Sequence, residues 1–222
     1  MNLALFDLDG TLLEIDSDHA FGEFMVSLGW ADAEAFRQAN DHFYAQYKAE
    51  CLDVDAYIRF ATSPWRERGA QELAAASERF TRELIQPAIE DSARALLRRH
   101  VEAGDHVAIV TATNEFITRP IAMLFGVDQL IATELQRDAD GRVTGEVLGV
   151  PAYREGKVTR VQQWLARQGL AWDDFEHITF YSDSTNDLPL LERVSHPVAT
   201  NPGPALERLA RERGWPVLKL FE

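Results

Sequence analysis

Apolar positions along the chain follow two periods, and the switches between them divide it. Leu3 to Leu8 is a short, nearly unbroken apolar run that stops at Asp-Gly-Thr, the pattern of a buried strand delivering its carboxyl end into a turn. From about Asp16 to Leu84 the spacing is helical throughout. Phe21, Phe24, Met25 and Leu28 share one face, and turn signals at Gly29, Ser63-Pro64 and Gly69 cut the stretch into separate helices. After Pro87 the two periods alternate. A helix over 88–103 stops at Gly104, a strand covers 106–110, a small polar turn covers 111–114, and a helix covers 118–125. A strand over 130–133 and a hairpin turning at Asp138-Ala-Asp-Gly141 come next, then a helix over 157–168. Strands over 178–181 and 197–200, a helix over 188–194 and an edge strand over 217–220 complete the pattern.

Strands alternating with helices predict an α/β fold with a doubly wound, mostly parallel sheet, whose ligands bind beyond the carboxyl ends of the strands. The expected division is a core formed by residues 1–15 and 86–222 and an all-helical insert over 16–85. A length of 222 residues suits one core and a smaller module.

Charge narrows the partners. A net charge of -14 repels nucleic acid backbones and anionic lipid surfaces, so neither is expected. An anionic small substrate meets the same field, so a phosphate site here needs a local metal ion, lysine or backbone amides. Cys51 is the single cysteine, which excludes an internal disulfide and a cysteine-based zinc site; it is expected as a buried, inert thiol. The first residues lack a basic leader and no apolar run approaches 18 residues, so a cytoplasmic location is expected. Oligomeric state is not legible in these patterns.

Polar residues collect where strands end. Asp7 and Asp9 stand two apart after the first strand, a spacing that serves equally a turn whose aspartates cap amides. It fails as a calcium loop, because counting from Asp7 puts Leu12 and Asp18 where such a loop needs Gly and Glu. Thr111-Ala112-Thr113-Asn114 offers a hydroxyl and free amides after the second core strand. Lys157 begins a helix, where the macrodipole disfavours a cation unless an acidic partner compensates. Asp183, Asn186 and Asp187 follow a later strand and add carboxylates suited to a hard cation such as magnesium.

Taken in order, these four segments resemble the haloacid dehalogenase superfamily, whose motifs match Phe-Asp7-Leu-Asp9-Gly-Thr11, Val-Thr111-Ala-Thr, Lys157 and Ser-Asp183-Ser-Thr-Asn186-Asp187. The helical insert and the Asn-Asp ending resemble the phosphoserine phosphatase-like branch, with Ser182 and Ser184 where that branch commonly has Gly, and Thr111-Ala112-Thr113 where it has Ser-Gly-Gly. The resemblance implies a Rossmann-like core with a helical cap of the C1 type, and a phosphatase acting on a small phosphate ester. It implies Asp7 as nucleophile, Asp9 as general acid and base, and Thr111 and Lys157 as charge stabilisers. Mg2+ is implied on Asp7, Asp9 and Asp183, with Asp187 beside it, and Ala112 and Asn186 near the substrate.

In phosphoserine phosphatases an acidic residue nine positions after the nucleophile meets the substrate ammonium, and Asp16 stands there, with helix capping as its other use. Arg59 is the candidate for a substrate carboxylate. Histidinol phosphate, which has an amine and no carboxylate, competes with phosphoserine. A sugar-phosphate mutase and a receiver-like phosphoacceptor module remain as other readings. The tryptophans and phenylalanines are assigned to packing.

Overall fold

The computed structural model describes residues 1–221. Strand β1 (Asn2–Phe6) is followed by helices α1 (Ser17–Ser27), α2 (Ala33–Lys48), α3 (Val54–Thr62) and α4 (Ala70–Phe80), the last running into a π-helical turn over Thr81–Ile85. Then come α5 (Asp91–Glu102), β2 (His106–Asn114), α6 (Glu115–Leu124), β3 (Leu130–Thr133), and the hairpin β4 (Leu135–Arg137) and β5 (Val143–Val147). The chain ends with α7 (Glu155–Arg167), β6 (His177–Ser182), α8 (Leu188–Leu191), β7 (His196–Thr200), α9 (Pro204–Arg213) and β8 (Val217–Leu218).

Six strands form one sheet in the order β3-β2-β1-β6-β7-β8, each neighbouring pair parallel, while β4 and β5 form a separate antiparallel ribbon. This is the α/β arrangement the pattern predicts. A parallel sheet is covered on both faces, so its strands are apolar on both sides. Ala4, Phe6 and Ile109 face one cluster, and Leu3, Leu5, Ala108 and Val110 face the other. The strand order reverses at β1 and β6, which places the ligand crevice of a doubly wound sheet at their carboxyl ends.

Asp16, Asp32 and Asp53 cap α1, α2 and α3 by accepting the amides of His19, Ala35 and Ala56 at 2.9, 2.9 and 3.0 Å. The helices they start share the apolar cluster on one sheet face. Phe21 and Trp65 meet Phe116 of α6 with ring centroids 6.0 and 4.4 Å apart. A second seam joins them to the core. Asn186 donates to the Tyr47 carbonyl at 3.0 Å, and Arg154 donates to the Glu50 carbonyl at 3.0 Å and its carboxylate at 3.2 Å. Thr185 donates to the other Glu50 oxygen. Glu50 and Arg154 both hold positive φ, 59° and 51°, a conformation uncommon for such residues.

Three local expectations change. The polar turn over 111–114 is instead the end of β2, with an irregular register against β3 between Val110 and Asn114; Asn114 then caps α6. The helix expected over 188–194 is a single turn, Leu188–Leu191. Cys51 is exposed, because it lies in the link between α2 and α3 and not on an inward helix face.

Candidate active site

Register builds the site. Phe6 pairs with Tyr181, and the Asp7 amide continues the ladder by donating to the Tyr181 carbonyl at 2.9 Å. Asp7 therefore leaves the sheet beside Ser182 and Asp183. Lys157, in the first turn of α7, reaches over the sheet edge and donates to Asp7 Oδ1 at 2.8 Å and to Asp187 at 2.7 Å. All three side chains are almost fully buried. Two carboxylates thus compensate a cation at a helix N-terminus, where the macrodipole alone disfavours it. Burial alone would lower the Lys157 pKa, but Asp187 and Asp7 outweigh it and hold the ammonium charged.

Asp187 also accepts the Ser182 hydroxyl at 2.7 Å. Burial pushes its carboxyl to about 6 against the opposing pull of Lys157. Asp187 therefore reaches the centre through Lys157. For Asp7, burial raises the carboxyl, Lys157 opposes the rise, and Asp9 adds to it.

Asp9 is held on both oxygens. The Ser17 amide donates to Oδ1 at 2.7 Å and the Thr113 hydroxyl to Oδ2 at 3.0 Å. Burial, then the charge of Asp16, push Asp9 to about 6. Thr113 was missed as a site residue. Its signal was available, since Thr111 and Thr113 are two apart on one strand and so share a face. Thr111 is buried, and its Oγ accepts the Thr113 amide at 3.2 Å.

Asp183 accepts the Thr11 hydroxyl at 3.3 Å. Gly10, at φ 76°, gives it room: a Cβ there would lie 2.5 Å from Asp183 Oδ2. Asn201 secures the loop by donating to the carbonyls of Gly10 and Thr11, both at 3.1 Å. Burial raises the Asp183 carboxyl well above its ordinary range, and the charges of Asp7 and Asp187 add to this. Asp7 and Asp187, both buried, share one ammonium, and the half-buried Asp183 beside them leaves negative charge uncompensated. Among the described residues no three His, Cys, Asp or Glu side chains form a closed metal cage. Two carboxylates and a main-chain carbonyl nevertheless fit Mg2+, an oxygen-seeking cation that keeps several of its waters.

Above this floor lies a pocket enclosed between the sheet's carboxyl end and the helices of the insert. Asp7, Asp9, Thr111, Ala112 and Thr113 form its base, while α1, α2 and α3 supply its wall, including Asp16 and Asp18. Asp16 thus caps a helix and faces the pocket together. Asp18, which stands beside Asp16 in the sequence as a second acid for an amino group or a helix cap, also lines the pocket; sequence reasoning missed Tyr44, Tyr47 and Tyr57.

Two sequence candidates stand elsewhere. Arg59 is half-exposed and lies 3.4 Å from Glu146 on β5, because α3 turns the preceding Tyr57 and Ile58 inward. Asn186 does not bond Asp183; its amide bridges the Tyr153 hydroxyl (3.0 Å) and the Tyr47 carbonyl.

Comparison with known proteins agrees with this arrangement. A family model described as haloacid dehalogenase-like hydrolase matches residues 4–192. A histidinol-phosphatase of Neisseria meningitidis serogroup C (strain 8013) is 45% identical over 217 residues, covering 98% of each chain. A crystal structure of a protein of unknown function from Bordetella pertussis Tohama I superposes with a TM-score of 0.93 at 47% identity, covering 99% of each chain. A substrate-bound phosphoserine phosphatase shares the fold, with a TM-score of 0.68 at 17% identity, covering 97% of this chain and 91% of that one.

Proposed function

This chain belongs to the haloacid dehalogenase-like hydrolases and is a phosphatase, and from that premise we propose that it hydrolyses a small amino-bearing phosphomonoester, histidinol phosphate first, through a phosphorylated Asp7 and with Mg2+. The observation that carries this is Asp7 on the floor of the pocket, its Oδ1 taken by buried Lys157 and its Oδ2 left for attack, with Asp9 beside it.

Asp7 attacks phosphorus in line; the P–O bond to the leaving alcohol breaks as the bond to the carboxylate forms. Protonated Asp9 gives its proton to the alcohol oxygen. The resulting carboxylate then takes a proton from the water that attacks the aspartyl-phosphate, releasing orthophosphate and restoring Asp7. Each such proton transfer contributes roughly 100- to 10,000-fold. Lys157 and Thr111 face the negative charge that spreads over the phosphoryl oxygens. The Asp7 and Asp183 carboxylates and the Asp9 carbonyl would hold Mg2+, whose charge offsets repulsion between phosphate and nucleophile. Residues 16–85 act in this reading as a cap domain on the core of 1–15 and 86–222.

The wall favours a cationic leaving group without a carboxylate. Asp16 and Asp18 face the pocket, and no lysine or arginine lines it among the described residues. Lys48 lines the adjoining cavity, 4.4 Å above the Tyr44 ring. The test is phosphate release from histidinol phosphate, phosphoserine, sugar phosphates and nucleotides, with Mg2+ and with excess chelator. Release is expected to be metal-dependent and fastest on histidinol phosphate, and Asp7→Asn is expected to lower it by at least about 10,000-fold. Ordinary turnover by Asp7→Asn would falsify the scheme, and preference for phosphoserine would move the substrate assignment.

A further inference from the structure

The pocket holds one acid more than an amino-phosphate needs. Its floor is the nucleophile, so the leaving group must occupy the space under the wall. Asp16 commits Oδ1 to the His19 amide and keeps its second oxygen for an ammonium. Asp18 is left over. Helix capping does not explain it, since Asp16 already caps α1. A first-turn acid that served only the helix dipole would point to solvent. Asp18 instead lines the pocket together with Tyr57 of α3.

Around Asp18 the wall is aromatic. Phe43, Tyr44 and Tyr47 from one face of α2 and Tyr57 from α3 line the same space. Rings beside a half-buried acid suit a flat group that carries a positive charge or an N–H donor, since its faces meet π-systems while its edge meets the carboxylate.

We propose that Asp18 and Tyr57 form a specificity subsite for a planar, protonatable nitrogen ring on the leaving group, with Asp16 taking the amine of the same molecule. This rests on the amino-phosphate reading above and adds the second contact. Burial, and after it the charge of Asp16, push the Asp18 carboxyl to about 8. Such an acid lacks a counter-charge when the pocket is empty and gains one when a protonated ring enters. Tyr57 lines the same wall and offers its ring and hydroxyl beside that acid.

The experiment compares two substrates that differ only in the ring, histidinol phosphate and 2-aminopropyl phosphate, on the wild-type enzyme and on Asp18→Asn and Tyr57→Phe. In wild type, kcat/KM is expected to favour the ring-bearing ester. In Asp18→Asn that ratio is expected to fall about 10- to 100-fold, mostly through KM, the scale of losing a hydrogen bond to a charged group. Tyr57→Phe, which keeps the acid, is expected to fall less and guards against misfolding of the first variant. Circular dichroism of each variant accompanies the kinetics. Equal losses on both substrates, or an unchanged ratio in both variants, overturns the subsite while leaving the phosphatase reading intact. A wild-type enzyme that hydrolyses 2-aminopropyl phosphate but shows no preference for the ring overturns it as well. No release from either ester, with p-nitrophenyl phosphate still hydrolysed, instead overturns the amino-phosphate reading and the subsite with it.

Discussion

The floor of the pocket carries buried carboxylates and the wall half-buried ones, and they are compensated in opposite ways. On the floor, Asp7 and Asp187 share the Lys157 ammonium at 2.8 and 2.7 Å, and strand register fixes the arrangement. On the wall, Asp16 and Asp18 form no ion pair among the described residues, and helices of the insert carry them. The floor supplies its own counter-charge; the wall waits for one. The difference separates chemistry common to every phosphate ester from recognition of one leaving group.

The largest test of that contrast removes the floor's cation. Lys157→Met leaves two buried carboxylates without a partner, so stability is expected to fall by about 3–5 kcal/mol in urea titration, and phosphate release by at least about 100-fold. Parity with wild type in both measurements would show that the floor is no more compensated than the wall.

A smaller effect comes from pH in metal-free protein. The Asp18 carboxyl moves from an ordinary 3.8 to about 8 on folding, and Asp9 moves from 3.8 to about 6. Between those values the folded state binds more protons than the unfolded one, so these groups make stability fall as pH rises from about 4 to 8. Thermal melts across that range are expected to show the decline. Histidinol, the ring- and amine-bearing product of the proposed reaction, is expected to reverse it near pH 7 by pairing with the wall. A melt that is flat with pH, or indifferent to histidinol, means the wall is already neutralised.

The smallest effect is expected at Arg59. Its contact with Glu146 is exposed and 3.4 Å long, so Arg59→Ala is expected to change stability by less than about 1 kcal/mol. The histidinol phosphate preference of the pocket is expected to persist in urea-matched kinetic assays. A collapse of that preference would extend the wall beyond the residues that line it.

Legibility in the sequence follows the same division. Floor residues sit at the ends of short apolar runs, and a parallel strand buried on both faces announces itself by those runs. Asp7 and Asp183 could be placed in one crevice because sheet topology determines where strand ends meet, whereas Lys157, on a helix, was reached through the family resemblance. The wall is built from helix faces whose neighbours are decided by three-dimensional packing. Tyr44 and Tyr47 have the same spacing whether they face a core or a cavity. Arg59 and Tyr57 are two residues apart on α3, yet roughly 200° of helical rotation sends one to Glu146 and the other into the pocket. Thr113 was within reach of period-two reasoning, but the expected turn over 111–114 hid the strand that carries it.

The seam through Glu50 and Arg154 bears on how such a protein can be rebuilt. Exchanging the helical insert for that of a relative is the obvious way to give the same chemistry a new substrate, and cuts at 16 and 85 look sufficient on the linear chain. The left-handed Glu50 bonds to Arg154 and Thr185, and Tyr47 bonds to Asn186, so three short stretches of sequence form one junction. An imported insert brings only one of them. The transferable unit is therefore discontinuous: a graft that carries 153–154 and 185–186 along with the insert keeps the junction whole, whereas a single-segment swap breaks it beside the nucleophile's lysine.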